Sequence, residues 1–169
     1  HGDQGRDVVD RVFARVLGAE AAAVRLQFVS GTHAIAAALF GVLRPGDRLL
    51  SITGRPYDTL EEVIGLREQG QGSLAEVGVR YDELGLTPDG GINTAALDQA
   101  LEVPTRMVLI QRSCGYSWRP SISGAEIGRG CERIHASQPD CVCFVDNCYG
   151  ELVEEHSYGG GMINDVIVY

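Results

Sequence analysis

Two segments, "RMVLIQR" at Arg106 to Arg112 and "CVCFVDN" at Cys141 to Asn147, are apolar almost without a break until their last residues. A strand covered on one face only alternates apolar with polar side chains, so a short unbroken apolar run fits a strand buried on both faces. Burial of that kind calls for helices above and below the sheet. It therefore points to an α/β architecture rather than to a sandwich or a bundle.

The intervening segments supply those helices. From Gly5 to Leu17, Val8, Val9, Val12, Phe13, Val16 and Leu17 recur at helical spacing, and Gly18 follows as a stop. Patterning and turn residues also predict helices over 32–43, 57–68, 93–101 and 124–136. Further strands are predicted over 24–29, 48–53 and 77–83. Strand and helix alternate along the chain, which predicts three α/β/α layers around a mostly parallel sheet. A length of 169 residues, 44% of them hydrophobic, suits one such core, and no internal repeat or linker divides it.

A formal charge of -9 and a pI near 4.8 argue against a nucleic-acid or anionic-membrane partner, because neutralising phosphates takes clustered cations. Any anion must be bound locally. No apolar run reaches the roughly 18 residues of a membrane span, and residues 1–15 lack a signal-peptide pattern. A cytoplasmic protein is expected. The five cysteines are an odd number without a disulfide framework, so reduced thiols are expected. Cys141 and Cys143 share one face of a strand and are read as buried thiols, with no metal expected.

Ligands in open α/β sheets bind beyond the carboxyl ends of the strands, so the residues following each strand matter most. In "QFVSGTHAIAAALF", Ser30, Gly31 and Thr32 separate a predicted strand from a predicted helix. Such a turn offers outward backbone N–H groups and hydroxyls to a phosphate, although Ser30 or Thr32 could instead serve only as a helix cap. Tyr57 in "GRPYDTLEE" could stack on a flat ligand or simply pack at the sheet edge. Asp146 closes "CVCFVDN" and could either face a cationic ring nitrogen or cap the following loop. A phosphate cradle, a stacking aromatic and a carboxylate on one edge are what pyridoxal phosphate requires.

Together with "IQRSCGYSWRPS" and "CFVDNCYGELVEE", the stretch from Gln27 to Gly65 resembles the family of cystathionine beta-lyase proteins involved in aluminium resistance, also described as methionine gamma-lyase family proteins. The resemblance runs from about Gly5 to Glu155. It implies the large domain of a fold-type-I, aminotransferase-like enzyme that uses pyridoxal phosphate as a carbon–sulfur lyase on sulfur-containing amino acids, and a homo-oligomer in the full-length family. Carried onto this chain, it puts the cofactor phosphate at Ser30, Gly31 and Thr32, the ring against Tyr57, and the pyridine nitrogen at Asp146. It also sets Gln111 to Ser113, with Tyr116, Trp118 and Arg119, toward the cofactor or the substrate. Arg112 or Arg119 would suit the substrate carboxylate, since guanidinium pairs with it bidentately; an ordinary ion pair is the alternative for either.

Two features depart from the family. Its members are much longer and carry a Schiff-base lysine after the "DNCYGE" strand, whereas all 14 basic residues of this chain are arginine. Arginine cannot take that role, so no catalytic residue is assigned and the isolated chain is expected to be inactive. Beyond Glu155, "HSYGGGMINDVIVY" no longer follows the family. The chain is accordingly read as a partial large-domain core over 1–155 with a divergent tail over 156–169. The alternative function is a noncatalytic α/β domain binding a phosphorylated metabolite or nucleotide at the same turn.

Overall fold

The computed structural model describes residues 4–67, 71–115, 117–150, 153–154 and 166–168. The elements run α1 (Gln4–Leu17), α2 (Gly31–Val42), β1 (Arg48–Ser51), α3 (Asp58–Ile64), β2 (Arg80–Glu83), α4 (Thr94–Ala100), β3 (Met107–Gln111), α5 (Gly124–Ser137), β4 (Val142–Asp146) and β5 (Val166–Val168). The strands form one five-stranded sheet in the order β2-β1-β3-β4-β5, and every pairing is parallel. β5 lies within the tail that the sequence sets apart, and it pairs with β4 from Phe144↔Val166 to Asp146↔Val168.

The two apolar runs behave as double-sided burial demands: every residue of β3 and β4 is buried. Successive side chains point to opposite faces. Leu50, Val108, Ile110, Cys143 and Val145 meet Leu97 of α4 and Ile127, Cys131 and Ile134 of α5 on one side. Leu49, Met107, Leu109, Val142 and Phe144 meet Ile35 and Leu39 of α2 and Leu60 and Ile64 of α3 on the other. The result is the expected three-layer α/β/α arrangement. β2, at the edge, is largely exposed and carries Arg80, Asp82 and Glu83, a charged composition that discourages further strand pairing.

Chain order reverses direction between β1 and β3, since β2 lies outside β1 and the later strands lie on the far side of β3. That reversal opens a crevice at the carboxyl ends of the two strands, the usual ligand position in such sheets. The amide of Gln111 donates to Thr53 Oγ1 at 3.0 Å and ties the two strand ends together below the crevice.

One predicted element is absent. Residues 24–29 form a turn and irregular backbone rather than a strand. The apolar residues that suggested it have no sheet to join: Leu26 is 99% and Val29 83% exposed. Arg25 is instead held by Asp10 of α1 at 2.7 Å, and the Val24 amide donates to the same carboxylate at 2.8 Å. β-Propensity without a pairing partner does not make a strand.

α1 is helical as the periodicity predicts, yet its apolar face is open. Only Ala14 is buried, while Val8, Val9, Val12, Phe13 and Val16 remain exposed. Among the described residues, no helix is long and apolar enough to cross a membrane.

The connection after α3 sets up one test of packing. Gly65 ends that helix at φ 95°, and a β-carbon there would stand 2.6 Å from Ser73 Oγ and 2.8 Å from the Ala75 β-carbon. Gly46, at φ 91°, has open space around it. Gly65→Ala is expected to destabilise the chain by about 1–3 kcal/mol more than Gly46→Ala, because both strain the backbone but only the former also collides. Chemical denaturation of the two variants checks the difference.

Candidate functional site

The residues singled out at the carboxyl edge assemble from three chain segments. Ser30 stands in extended backbone (φ -161°, ψ 163°) as the N-cap of α2, and its side chain accepts the His33 amide at 3.1 Å. The capping reading of Ser30 is therefore realised. The first intrahelical bond runs from the Ala34 amide to the Ser30 carbonyl, so the amides of Gly31 and Thr32 precede it at the open end of the helix. A β-carbon added at Gly31 would meet nothing within 4 Å, so space lies in front of that backbone. The lead-in differs from the sequence expectation, since the turn follows irregular chain and not a strand.

Thr32 points across to the second segment. Its Oγ1 is hydrogen-bonded to the Tyr57 hydroxyl and to Thr59 Oγ1, each at 3.1 Å. Tyr57 precedes α3 as its N-cap without a side-chain capping bond. Its ring packs partly against the α2/α3 side of the core. Burial pushes the phenol above its ordinary pKa, the Thr32 hydrogen bond partly offsets this, and the negative charge of Asp146 raises it further. Tyr57 consequently stays neutral.

Asp146 marks the third segment. It ends β4 directly opposite Gln111 at the end of β3 and is 6% exposed. The Cys148 amide donates to its Oδ1 at 3.2 Å, and Gln111 Nε2 lies 3.5 Å from Oδ2. A carboxylate so deeply placed is costly unless bonded, and these neighbours accept part of that charge. The structure thus brings the Ser30–Thr32 turn, Tyr57 and Asp146 to the same edge of the sheet.

The residues expected near a substrate fare differently. Arg112 is 5% exposed, and its guanidinium is spent on the protein: Nε donates to the Ile122 carbonyl, Nη1 to Asn147 Oδ1 and the Gly150 carbonyl, and Nη2 to Glu154 Oε1 at 2.8 Å. Arg119 folds back so that Nη2 donates to the carbonyls of Gln111 and Ser113 and Nη1 to that of Pro120. Burial lowers its pKa from the usual arginine range. Trp118 is fully exposed beside it. Tyr116 lies outside the described residues.

Thr59, Asn147 and Glu154 belong to this edge without having been singled out. The "PYDT" spacing offered a signal for Thr59, because a residue two positions past Tyr57 falls in the first turn of α3. Glu154 had no local signal. Its contacts with Arg112 and with the Gly124 amide at 3.0 Å join segments far apart in the chain.

Residues 1–164 match the family model described as methionine gamma-lyase. The uncharacterized protein YnbB of Bacillus subtilis (strain 168) is 49% identical over 156 residues, which is 92% of this chain and 37% of that protein. The structure of a carbon–sulfur lyase involved in aluminum resistance from Clostridium novyi NT is similar at 45% identity and a TM-score of 0.87, over 92% of this chain and 37% of that one. A Listeria innocua protein proposed as a cystathionine beta-lyase involved in aluminum resistance gives 49% identity and a TM-score of 0.88, over 92% and 38%. The chain therefore spans a little over a third of the length of these relatives, and its sheet is part of a fold-type-I architecture. A family match across residues 1–164, together with a TM-score of 0.88 at 49% identity, makes the chain a member of the methionine gamma-lyase family.

Proposed function

We propose that this chain is the cofactor-binding core of a pyridoxal-phosphate-dependent carbon–sulfur lyase acting on sulfur-containing amino acids. The observation that carries the reading is the placement at the carboxyl ends of the parallel strands of the α2 amino terminus, bonded through Thr32 to Tyr57, and of Asp146. The donor set fits the cofactor. The amides of Gly31 and Thr32, with the Thr32 hydroxyl, suit a phosphate, and the open space before Gly31 admits one. Tyr57 offers a neutral aromatic face to the ring. Asp146, buried and negatively charged, suits a protonated pyridine nitrogen and would hold the proton there. When bound, the cofactor supplies an electron sink for cleavage next to the amino-acid α-carbon.

Within these 169 residues there is no lysine, so the chain binds the cofactor without attaching it covalently and supplies no lysine for proton transfer. Arg119, whose Nε makes no bond to a described residue, is the better candidate for a substrate carboxylate, whereas Arg112 is already committed to protein partners. A noncatalytic phosphate site would require only the α2 terminus and would make no use of the Tyr57 ring or the Asp146 carboxylate.

The test is binding and then chemistry. Equilibrium dialysis is expected to retain pyridoxal phosphate, with Tyr57→Ala weakening it about tenfold through lost stacking and Asp146→Asn changing the spectrum more than the affinity. Borohydride reduction followed by mass analysis is expected to find no adduct on any internal side chain. A chimera carrying residues 4–154 in place of the matching segment of the Bacillus subtilis relative is expected to release thiol from sulfur-containing amino acids. A folded chimera that binds the cofactor yet releases none would defeat the lyase assignment.

The same reading includes self-association through the open face of α1, where Val9, Val12, Phe13 and Val16 are 41–62% exposed on a chain of net charge -9. A contiguous apolar helix face of this kind favours burial against a second copy, with the gain in buried apolar area set against the repulsion between two acidic chains. Sedimentation velocity is expected to detect concentration-dependent dimers or larger species, and Val12→Asp with Val16→Asp to shift the population toward monomer. A monomer at all concentrations in the unmodified chain would contradict it.

A further inference from the structure

Among the described residues, Arg112 is a buried cation joined to more segments than its position just after β3 explains. Its backbone amide donates to the Asp146 carbonyl at 3.0 Å, which fixes the last residue of β4. Its side chain then reaches past that residue to Asn147 Oδ1 at 2.9 Å and the Gly150 carbonyl at 3.1 Å. Asn147 is itself fully buried, and its carbonyl accepts the Gly150 amide at 2.7 Å, closing the 147–150 turn. Space there is tight: a β-carbon at Gly150 would fall inside contact with Asn147 Oδ1 and Arg112 Nη1. Glu154 completes the clasp. One of its oxygens takes Arg112 Nη2, and the carboxylate also accepts the Gly124 amide at the start of α5. The 14-residue helix α5 presents its positive end to that carboxylate, which helps hold it in place.

We propose that Arg112 is a positioning residue for Asp146, and that the Arg112–Glu154 clasp fixes the turn whose Cys148 amide holds the Asp146 carboxylate. This deepens the cofactor reading above and rests on it. The chemical reason lies in the geometry of a strand end. The Asp146 backbone is fixed by the sheet, and the Cys148 amide, which donates to Oδ1 at 3.2 Å from within the turn, helps set its carboxylate direction alongside Gln111 Nε2 at Oδ2. The clasp grips that turn on both sides of Cys148, at Asn147 and at Gly150. A planar guanidinium with several donors holds three carbonyl-type acceptors and a carboxylate at once here; an ammonium cannot reproduce that fork. Arg112 thus sets the charge that a ring nitrogen would feel without touching the ring.

Amide hydrogen exchange on the full chain, resolved by NMR, tests this without cofactor. In Glu154→Gln, which keeps the shape but weakens the clasp, the Cys148 amide is expected to exchange about tenfold faster, the effect of weakening one hydrogen bond to a charged group. The Gly54 amide, bonded to the Leu84 carbonyl across the sheet, is expected to change less than about twofold. Arg112→Lys is expected to lie between Glu154→Gln and Arg112→Met, so the series stays informative if the methionine variant does not fold. With pyridoxal phosphate bound, a spectral pH titration is expected to move the ring-nitrogen pKa down in both Glu154→Gln and Arg112→Lys. Unchanged Cys148 protection in the folded variants would overturn the proposal, as would lost protection with an unshifted titration. If the unmodified chain binds no cofactor, the functional reading fails, and the exchange series still decides whether Arg112 holds the turn.

Discussion

Burial of β3 and β4 on both faces is the constraint from which the rest of this structure follows. Leu109 and Phe144 need one layer of helices and Ile110 and Val145 need another, and all four are completely buried. Two layers over parallel strands require crossover connections, and crossovers return each strand in the same direction. Every carboxyl end then lies on one edge. Polar side chains excluded from the strand interiors accumulate there, which is why Thr53, Gln111, Arg112, Asp146 and Asn147 are neighbours although the sequence scatters them.

Burying polar groups at that edge costs free energy unless each is matched, and the matching follows two patterns. On the Tyr57 side, hydroxyls bond to one another through Thr32, leaving a neutral surface beside a carboxylate. On the α5 side, a buried cation is surrounded by carbonyls and one carboxylate. Asp146 sits between them. Its carbonyl accepts the Arg112 amide, and its negative charge helps keep the Tyr57 phenol neutral.

What could be read in the chain alone was whatever repeats locally. β3, β4 and α5 were legible because burial imposes a period or an unbroken run on them, and Asp146 was legible because a carboxylate closing such a run is out of place in a core. The 24–29 segment misled for the opposite reason: Leu26 and Val29 are β-prone but find no strand to pair with, and an ion pair between Arg25 and Asp10 shapes the backbone instead. Arg112 showed the deeper limit. Its charge suggested a ligand, and only the long-range contacts to Asn147, Gly150 and Glu154 reveal that its donors are already used.

The absence of lysine separates two things that an active site normally combines. On the proposed reading, noncovalent recognition of a flat, phosphorylated, cationic ring needs a helix terminus, an aromatic face and a buried carboxylate, the roles assigned above to the α2 terminus, Tyr57 and Asp146. Covalent attachment and proton transfer at the substrate need an amine of adjustable pKa, which arginine, charged at all accessible pH values, cannot supply. The chain spans a little over a third of its relatives. On that proposed reading, recognition is measurable in these 169 residues apart from turnover. On that reading, substitutions at Thr32 and Tyr57 report on cofactor binding free of the kinetic coupling that obscures such effects in a complete enzyme.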